Sequence, residues 1–214
     1  MRFRTVLFDL DGTLIDHFAA IHRCHGHTMR QLGLPEPTIA QVRAAVGGGL
    51  ENAIAQLAGR ARVAAALAIY RPHWDATMLD DVVLLPGARE LLTALKQRGV
   101  KAAIFTNKLG DSSRRVAAHL GLAGLLAGNF GAKDTPWLKP APEFTQHALA
   151  QLGADAATTA LVGDSPYDLA AAHNAGLAFI GVTTGTHSAD ELHAARAKEI
   201  FPSLTALAAA LPAD

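Results

Sequence analysis

The sequence is short of cysteine, of net charge and of long apolar runs, and each shortage excludes a class of protein. Its single cysteine, Cys24, permits no disulfide within the chain, which fits a reducing compartment. Basic and acidic residues balance at 19 each, so no excess of positive charge indicates a partner such as nucleic acid or a membrane surface. The apolar runs are too short to span a bilayer, and the N-terminal residues do not resemble a signal peptide. We therefore expect a cytoplasmic protein with no nucleic-acid partner and no membrane partner.

Short apolar runs alternate with helical patterns along most of the chain. Half of its 214 residues are hydrophobic, which is enough for one large domain, or for a core with a modest insertion. The alternation predicts an α/β fold with a wound parallel sheet. The predicted strands cover residues 5–8, 102–106, 160–162 and 179–182, and the predicted helices between and after them cover residues 88–98, 112–120, 142–152, 167–174 and 203–211.

One stretch breaks this alternation. Between residues 17 and 80 the pattern is helical throughout, with Leu50, Ile54 and Leu57 on one face and no run typical of a strand. The stretch begins after the first strand, and the chain returns to the alternating pattern near Pro86. We therefore predict a core made of residues 1–16 and 81–214, with residues 17–80 inserted as an all-helical cap.

Polar residues that can bind ligands or take part in catalysis lie at the ends of the predicted strands. In an open α/β sheet, ligands bind beyond the carboxyl ends of the strands, so side chains at those ends are expected to meet. They are Asp9 and Asp11 after the first strand, Thr106 and Asn107 after the second, Lys139 ahead of the third, and Asp164 and Asp168 after the third.

Such a set of residues suits a metal ion and a phosphate. Clustered carboxylates cannot all stay ionised unless a positive charge lies close to them. Mg²⁺ supplies that charge and also binds phosphate oxygens. Lys139 and the backbone amides near Thr106 and Asn107 can meet the remaining phosphate charge. An aspartate can accept a phosphoryl group, and a second carboxylate two residues later can exchange protons with the leaving oxygen and with water. The strand ends therefore predict Mg²⁺-assisted phosphate chemistry.

These motifs, in this order, resemble those of the haloacid dehalogenase superfamily and, within it, the phosphoglycolate phosphatase-like branch. The helical insertion also sits where that branch carries its cap. The resemblance implies a Rossmann-like core and a phosphatase that hydrolyses a small phosphomonoester, with phosphoglycolate the best guess, through an aspartyl phosphate. It assigns the nucleophile to Asp9, the general acid and base to Asp11, the phosphate contacts to Thr106, Asn107 and Lys139, and the Mg²⁺ site to Asp9, the backbone carbonyl of Asp11, Asp164 and, in support, Asp168.

Two alternatives stay open alongside a phosphatase. A phosphosugar mutase of the same superfamily would keep both Asp9 and Asp11, but by the resemblance its cap loop typically carries an arginine, which residues 46–51 lack. A non-enzymatic module is the other alternative. A receiver-like module also uses aspartate, magnesium, threonine and lysine, but its phosphorylated aspartate follows a later strand. For a phosphometabolite-binding module without activity the sequence gives no sign, because every required position is filled. A dehalogenase is disfavoured, because a leaving halide needs no proton and Asp11 would have no role.

Substrate selection is predicted to involve the first motif and the cap. His17 stands beside the first motif, where relatives often have Ser or Thr, and we expect it to contact the substrate. The stretch Gly47, Gly48 and Gly49 is expected to reach the pocket, because a glycine backbone can approach an anion closely. The substrate is expected to be a small phosphorylated metabolite, and the protein a monomer or homodimer.

Other conspicuous residues have ordinary explanations. His22, Cys24, His25 and His27 do not share one helical face well enough to indicate a metal site. Trp137, in the segment ahead of Lys139, is expected to pack rather than to bind substrate. The remaining histidines are expected at the surface.

Overall fold

The computed structural model describes residues 3–211 and contains a parallel sheet of six strands in the order β5-β4-β1-β6-β7-β8. All neighbouring strands in this sheet run parallel. Every residue of β1 is buried, as expected for a strand covered by helices on both faces. The strands are β1 (Thr5–Phe8), β4 (Lys101–Leu109), β5 (Gly128–Ala132), β6 (Thr159–Gly163), β7 (Ala178–Val182) and β8 (Ile200–Phe201).

The wound parallel sheet predicted from the sequence is confirmed, and the structure adds two strands to it. The four predicted strands correspond to β1, β4, β6 and β7. The edge strands β5 and β8 were not predicted, because β5 reads Gly-Asn-Phe-Gly-Ala and β8 is only two residues long. Both have weak intrinsic strand signals and form by pairing with a stronger neighbour.

Ten α-helices connect or cover these strands within the described residues. Those of the core are α5 (Ala88–Gln97), α6 (Gly110–His119), α7 (Pro142–Leu152), α8 (Pro166–Asn174), α9 (Ala189–Ala194) and α10 (Leu204–Ala209). Those of the insertion are α1 (Phe18–Gln31), α2 (Ile39–Ala45), α3 (Leu50–Ala58) and α4 (Val63–Thr77). Helices α2 and α9 were not predicted from the sequence, and both are short. Among residues 3–211, none of the helices combines the length and the hydropathy that crossing a bilayer requires.

Each face of the sheet has its own hydrophobic core. Val6 and Phe8 of β1 point to one face, where α5, α6 and α10 pack. Leu7 points to the other face, where it joins Phe105, Phe144 and the residues of α7, α8 and α9. This division follows from the two-residue period of a strand, which sends alternate side chains to opposite faces.

The four helices of the insertion have a third core of their own. Their buried side chains, among them Ile21, Cys24, Ile54 and Trp74, form a cluster separate from the two sheet cores. A two-stranded antiparallel ribbon, β2 (Ile15–Asp16) with β3 (Val83–Leu84), stands where the chain leaves the sheet and returns to it. This separate cluster is our reason to propose that residues 17–80 form a cap over the core.

Candidate active site

The sheet register brings the ends of β1, β4 and β6 side by side. Phe8 pairs with Ile104 on one side and with Val162 on the other. The residues that follow on each strand therefore come together at the carboxyl edge of the sheet. Asp9 comes directly after β1, and Asp164 comes directly after β6. Thr106 lies within β4, two residues after Ile104.

Lys139 is the centre of the buried charge network. Its Nζ atom donates to Asp9 Oδ1 at 2.7 Å, to Asp168 Oδ1 at 2.6 Å and to the Phe105 carbonyl at 3.0 Å. Burial alone would lower the pKa of Lys139, but the charges of Asp168 and Asp9 outweigh burial and raise it above its usual value. Lys139 is therefore a permanent cation at the place where the sequence predicted a phosphate contact.

Three buried carboxylates lie around this lysine. Asp9, Asp164 and Asp168 each place a carboxylate oxygen within 4.8 Å of the other two. Burial raises the pKa of Asp9 to about 6, partly offset by Lys139. Burial, and then repulsion from Asp9 and Asp168, raises the pKa of Asp164 to about 7. Asp9 and Asp164 therefore resist ionising together when no cation other than Lys139 is near.

The composition of this group fits a divalent cation. When all three carboxylates are ionised, Lys139 neutralises one of them and two negative charges remain uncompensated. A divalent ion would balance these charges, and carboxylate oxygens are the donors that Mg²⁺ and Ca²⁺ prefer. Within residues 3–211 this is the one group of acidic, histidine or cysteine side chains close enough to share a metal ion. The buried aspartates can therefore bind a divalent metal.

Asp164 is oriented by hydroxyl and amide donors from two loops. Its Oδ2 accepts from the Thr186 backbone N–H at 2.7 Å and from the Thr186 hydroxyl at 2.9 Å. Its Oδ1 accepts from the Thr13 hydroxyl at 3.2 Å. Sequence reasoning missed Thr186, although residues 183–186 form a polar stretch at the end of β7, like those that marked the other strands.

Other protein groups hold both carboxylate oxygens of Asp168. Oδ1 accepts from Lys139, and Oδ2 accepts from the Ser165 hydroxyl at 2.6 Å and from its backbone N–H at 3.1 Å. The Ser165 contacts belong to a capping box at the start of α8. Asp168 is thus held rigidly by its own helix and in turn fixes the position of Lys139.

Asp11 lies apart from the three-carboxylate group and has its own partners. Lys108 Nζ lies 3.1 and 2.9 Å from its two oxygens, and His17 Nδ1 lies 3.4 Å from Oδ1. Burial alone would raise the pKa of Asp11, but Lys108 and His17 outweigh burial and lower it well below its usual range. Sequence reasoning missed Lys108, although its spacing of two residues from Thr106 was a signal that the two side chains share one face of the strand.

His17 is fully buried behind Asp11. Its Nε2 donates to the Met78 carbonyl at 2.5 Å, and its ring packs 4.9 Å from that of Trp74. These contacts tie the end of β2 to the end of α4. His17 is not among the residues that line the cavity described below, so its predicted contact with substrate stays a prediction.

Asn107 links the core to the loop of three glycines. Its amide nitrogen donates to the Gly47 carbonyl at 2.9 Å and to the Lys139 carbonyl at 3.0 Å, and its Oδ1 accepts from the Lys139 backbone N–H at 2.8 Å. The side chain of Thr106 is buried beside it and accepts from the Lys108 backbone N–H. Asn107 therefore fixes the loop that carries Lys139 and contacts the glycine loop of the insertion.

A cavity of about 230 Å³ lies between the strand ends and the helices of the insertion. Asp9, Asp11, Thr106 and Asn107 line its floor. The cavity walls include Gly47 and Gly49, while Gly48 borders a neighbouring cleft. Its remaining lining comes from α1, the end of α2, α3, α4, the end of β4 and the start of α6: Ile21, His25, Val46, Leu50, Ala53, Tyr70, Arg71, Trp74, Asp75, Lys108, Leu109, Asp111 and Ser112.

The other conspicuous residues lie in separate places. His22 bonds to the Pro37 carbonyl, and Cys24 donates weakly to the Tyr70 carbonyl. His27 stacks on His73. Trp137 is 40% exposed and lies outside the cavity lining.

The sequence is similar to a family model and to named proteins along most of its length. A model described as "Haloacid dehalogenase-like hydrolase" matches residues 6–182. A protein of Dickeya dadantii named "Probable phosphatase IndB" is 36% identical over 94% of this chain and 90% of that protein. A 5'-nucleotidase of Pseudomonas aeruginosa is 32% identical over 97% and 95% of the two chains. A plasmid-encoded phosphoglycolate phosphatase of Cupriavidus necator is 34% identical over 96% and 92%.

The fold also matches solved structures closely. A haloacid dehalogenase-like family protein of Streptococcus pneumoniae superposes with a TM-score of 0.90 at 24% identity, covering 99% of both chains. At that level of identity the match concerns the fold. It extends over the core and the inserted helices alike.

Proposed function

The chain belongs to the haloacid dehalogenase-like hydrolase family, and from that premise we propose that it hydrolyses a small phosphomonoester through an aspartyl phosphate on Asp9, with Mg²⁺ as cofactor. It is a phosphoric monoester hydrolase, as its named relatives are. The proposal concerns the route, the metal and the residues that act.

In the first step the carboxylate of Asp9 attacks phosphorus. The bond from phosphorus to the alcohol oxygen breaks, and Asp11 gives that oxygen a proton. In the chain without substrate, Lys108 keeps Asp11 ionised. A phosphate dianion entering the site would compete for Lys108, and with that cation drawn away the burial of Asp11 would raise its pKa and favour the protonated acid.

In the second step water attacks the phosphorus of the aspartyl phosphate. Asp11 now removes a proton from that water, the bond to Asp9 breaks, and inorganic phosphate leaves. Asp9 is regenerated as a carboxylate, and Asp11 is again protonated for the next cycle. The cap helices reduce access of bulk water to the cavity during both steps.

Residues around Asp9 hold the phosphate and the metal. Lys139 and the Thr106 hydroxyl contact the phosphate oxygens, and Asn107 keeps the Lys139 loop in place. Mg²⁺, when bound, would neutralise the phosphate and the clustered carboxylates. It would be held by Asp9, Asp164 and the backbone carbonyl of Asp11, with Asp168 in support.

One observation carries this proposal more than any other. Lys139 bridges Asp9 and Asp168 while Asp164 lies within 4.8 Å of both, so three separate segments of the chain converge on one buried point. Surface charges do not form such a group, because burying three carboxylates around one lysine is unfavourable without a bound cation.

The test is a phosphate-release assay over a panel of phosphomonoesters. Asp9→Asn should abolish release, whereas Asp155→Asn, which changes an exposed acid, should leave the rate unchanged. EDTA should abolish phosphate release by the wild-type protein, and added Mg²⁺ should restore that release. Turnover by Asp9→Asn would contradict the assignment of Asp9 as the nucleophile. Activity in the presence of EDTA would contradict the dependence on a metal ion.

The named relatives do not settle the substrate. One is named as acting on phosphoglycolate and another on 5'-nucleotides, at nearly equal identity to this chain. Phosphoglycolate, the guess made from the resemblance, thus has a competitor of very different size and shape. Monomer or homodimer, and a cytoplasmic location, stay predictions.

A further inference from the structure

The two groups that hold the carboxylate of Asp11 both lie against one side chain, the indole of Trp74. Lys108 Nζ, which bonds to both oxygens of Asp11, stands 4.6 Å from the centre of the indole ring. The ring of His17, whose Nδ1 lies 3.4 Å from Asp11 Oδ1, is centred 4.9 Å from the same indole. An ammonium group within about 6 Å of an aromatic ring is attracted to its face. Trp74 therefore borders both groups that orient Asp11.

The indole of Trp74 is itself held firmly. Trp74 is 4% exposed and belongs to the hydrophobic core of the insertion. Its N–H donates to the Ser112 hydroxyl at 3.1 Å, in a buried hydrogen bond from α4 to the start of α6. The ring of Tyr70, one turn earlier on α4, lies 5.8 Å away and nearly parallel. A ring packed in this way has little freedom to move, so it restricts the groups that lie against it.

The contacts around Asp11 come from separate parts of the chain. Lys108 lies at the end of β4, and His17 stands just before α1. His17 Nε2 also bonds to the carbonyl of Met78, the residue that follows α4. Both groups that orient Asp11 thus depend on the position of α4, either through the indole or through the Met78 carbonyl.

The position of Asp11 matters because a proton carrier works only at short range. Its carboxyl group must come within hydrogen-bond reach of the leaving oxygen, and later of the attacking water. A misplacement of about 1 Å in an active site can lower a rate about 100-fold. A residue that touches neither oxygen can therefore control the reaction by fixing where Asp11 points.

We propose that Trp74 is a positioning residue for Asp11, acting through Lys108 and His17. The inference rests on the proposed phosphatase function and adds to it the side chain through which α4 orients the proton carrier. When a bound phosphate draws Lys108 from Asp11, the ammonium group stays near the indole and His17 stays against Asp11. The carboxyl group then keeps its orientation while it gives its proton to the leaving alcohol.

Two phosphomonoesters of similar size separate this role from simple packing. p-Nitrophenyl phosphate has a leaving group that needs no proton, whereas benzyl phosphate releases an alcohol that does. With protein in excess over substrate, a single turnover reports the first step alone. Trp74→Leu should lower the benzyl phosphate rate about tenfold, part of the roughly 10²–10⁴-fold contribution of a placed acid, and leave the p-nitrophenyl phosphate rate within about threefold.

A second background shows whether Trp74 acts through Asp11. In Asp11→Asn there is no proton carrier to orient, so adding Trp74→Leu should change the benzyl phosphate rate by less than about threefold, because residues that act as a unit are not additive. Trp137→Leu is the matched control. It replaces the other tryptophan of the chain, which is 40% exposed and outside the cavity lining, and should leave both rates unchanged.

Two milder variants keep the test decisive if thermal melting shows that Trp74→Leu does not fold. Ser112→Ala leaves the indole N–H without its acceptor and frees the ring to shift, so it should lower the benzyl phosphate rate roughly threefold and spare p-nitrophenyl phosphate. Trp74→Phe keeps an aromatic face beside Lys108 and His17 and should retain most of the benzyl phosphate rate.

Equal losses on both phosphates in Trp74→Leu, or in Ser112→Ala if the leucine variant does not fold, would overturn the positioning role and leave the phosphatase intact. A further tenfold loss of the benzyl phosphate rate when Trp74→Leu is added to Asp11→Asn would also overturn it. Release of neither leaving group by the wild-type enzyme would count against the proposed function, and the positioning role would fall with it.

Discussion

Asp9 and Asp11 are two residues apart, yet their surroundings move their pKa values in opposite directions. Both are buried, which by itself raises the pKa of a carboxyl group. For Asp9 the nearby Asp168 adds to this effect and Lys139 offsets only part of it. For Asp11 the pair Lys108 and His17 outweighs burial. Asp11 is therefore ionised in the chain without substrate, and its proposed role as proton donor requires that a bound substrate draw Lys108 away from it.

The contribution of Asp11 to the first step depends on whether the leaving group needs a proton. Asp11→Asn should lower turnover of an alkyl phosphate about 10²–10⁴-fold, because the alcohol leaves without a proton. With p-nitrophenyl phosphate, whose leaving group needs no proton, the first step should survive. Rapid-mixing absorbance should then show a burst of about one p-nitrophenolate per protein, followed by slow turnover, because water is no longer deprotonated.

The control for this experiment is Asp9→Asn, which should show no burst with either substrate. Wild-type behaviour of Asp11→Asn toward the alkyl phosphate would contradict the assignment of Asp11 as acid and base.

At the scale of elements, the loops after the strands position the acids. The loop after β7 does so by close approach, because Gly185 lies directly against Asp164. A Cβ atom at Gly185 would stand 2.0 Å from Asp164 Oδ2 and 2.4 Å from its Cγ. Only a residue without a side chain fits there, so this loop and the metal site constrain each other.

Gly185→Ala should therefore displace Asp164 and weaken divalent-metal binding by about tenfold or more, a loss comparable to that from altering other residues that orient metal ligands. Titration of the metal-free protein with Mg²⁺, followed by calorimetry or by recovery of activity, measures this. Gly124→Ala is the matched control, since a Cβ at Gly124 would meet no atom within 4 Å. Equal affinities of the two variants would argue against Asp164 as a ligand.

Most elements could be predicted from the sequence, and those that were missed have physical reasons. The buried strands β1, β4, β6 and β7 read as apolar runs, because helices cover both faces of the sheet. Strand β5 contains two glycines and an asparagine, so only its pairing with β4 reveals it. Short helices α2 and α9 lack a long apolar period, although the capping boxes that begin with Thr38 and Ser188 were visible signals.

The residues of the site were predicted less evenly than the fold. The strand-end rule located Asp9, Lys139 and Asp164, which the structure brings together. It missed Lys108 and Thr186, whose importance comes from contacts with residues 97 and 22 positions away in the chain. Local patterns mark these two residues, through the spacing of Lys108 from Thr106 and the polar stretch at residues 183–186, but they do not give the partners, which depend on how the elements pack.

For the whole molecule, the buried acids connect metal binding with stability. The pKa values of Asp9 and Asp164, about 6 and about 7, lie above the value of about 3.9 expected for an unfolded chain. The folded state therefore holds these protons more tightly than the unfolded state does. Their contribution to stability is complete below about pH 4 and is lost as the pH rises through 6 and 7.

A divalent cation should reverse this loss, so the rise in melting temperature caused by Mg²⁺ should be larger at pH 8 than at pH 5. Each kcal/mol of added stability should raise the melting temperature by about 2–4 °C for a chain of this size. Differential scanning calorimetry with Mg²⁺ and with EDTA measures the effect. Asp164→Asn should remove most of it, and an equal Mg²⁺ shift at both pH values would oppose the account.

The central claim is that Asp9 becomes covalently phosphorylated during turnover, and chemical trapping tests it most directly. Borohydride added during steady-state hydrolysis reduces an aspartyl phosphate to homoserine, and peptide mass spectrometry locates the change. The account predicts homoserine at position 9 in a fraction of the chains, dependent on substrate, and none in Asp9→Asn. Rapid hydrolysis with an unmodified Asp9, or with trapping at another acid such as Asp164, would contradict it.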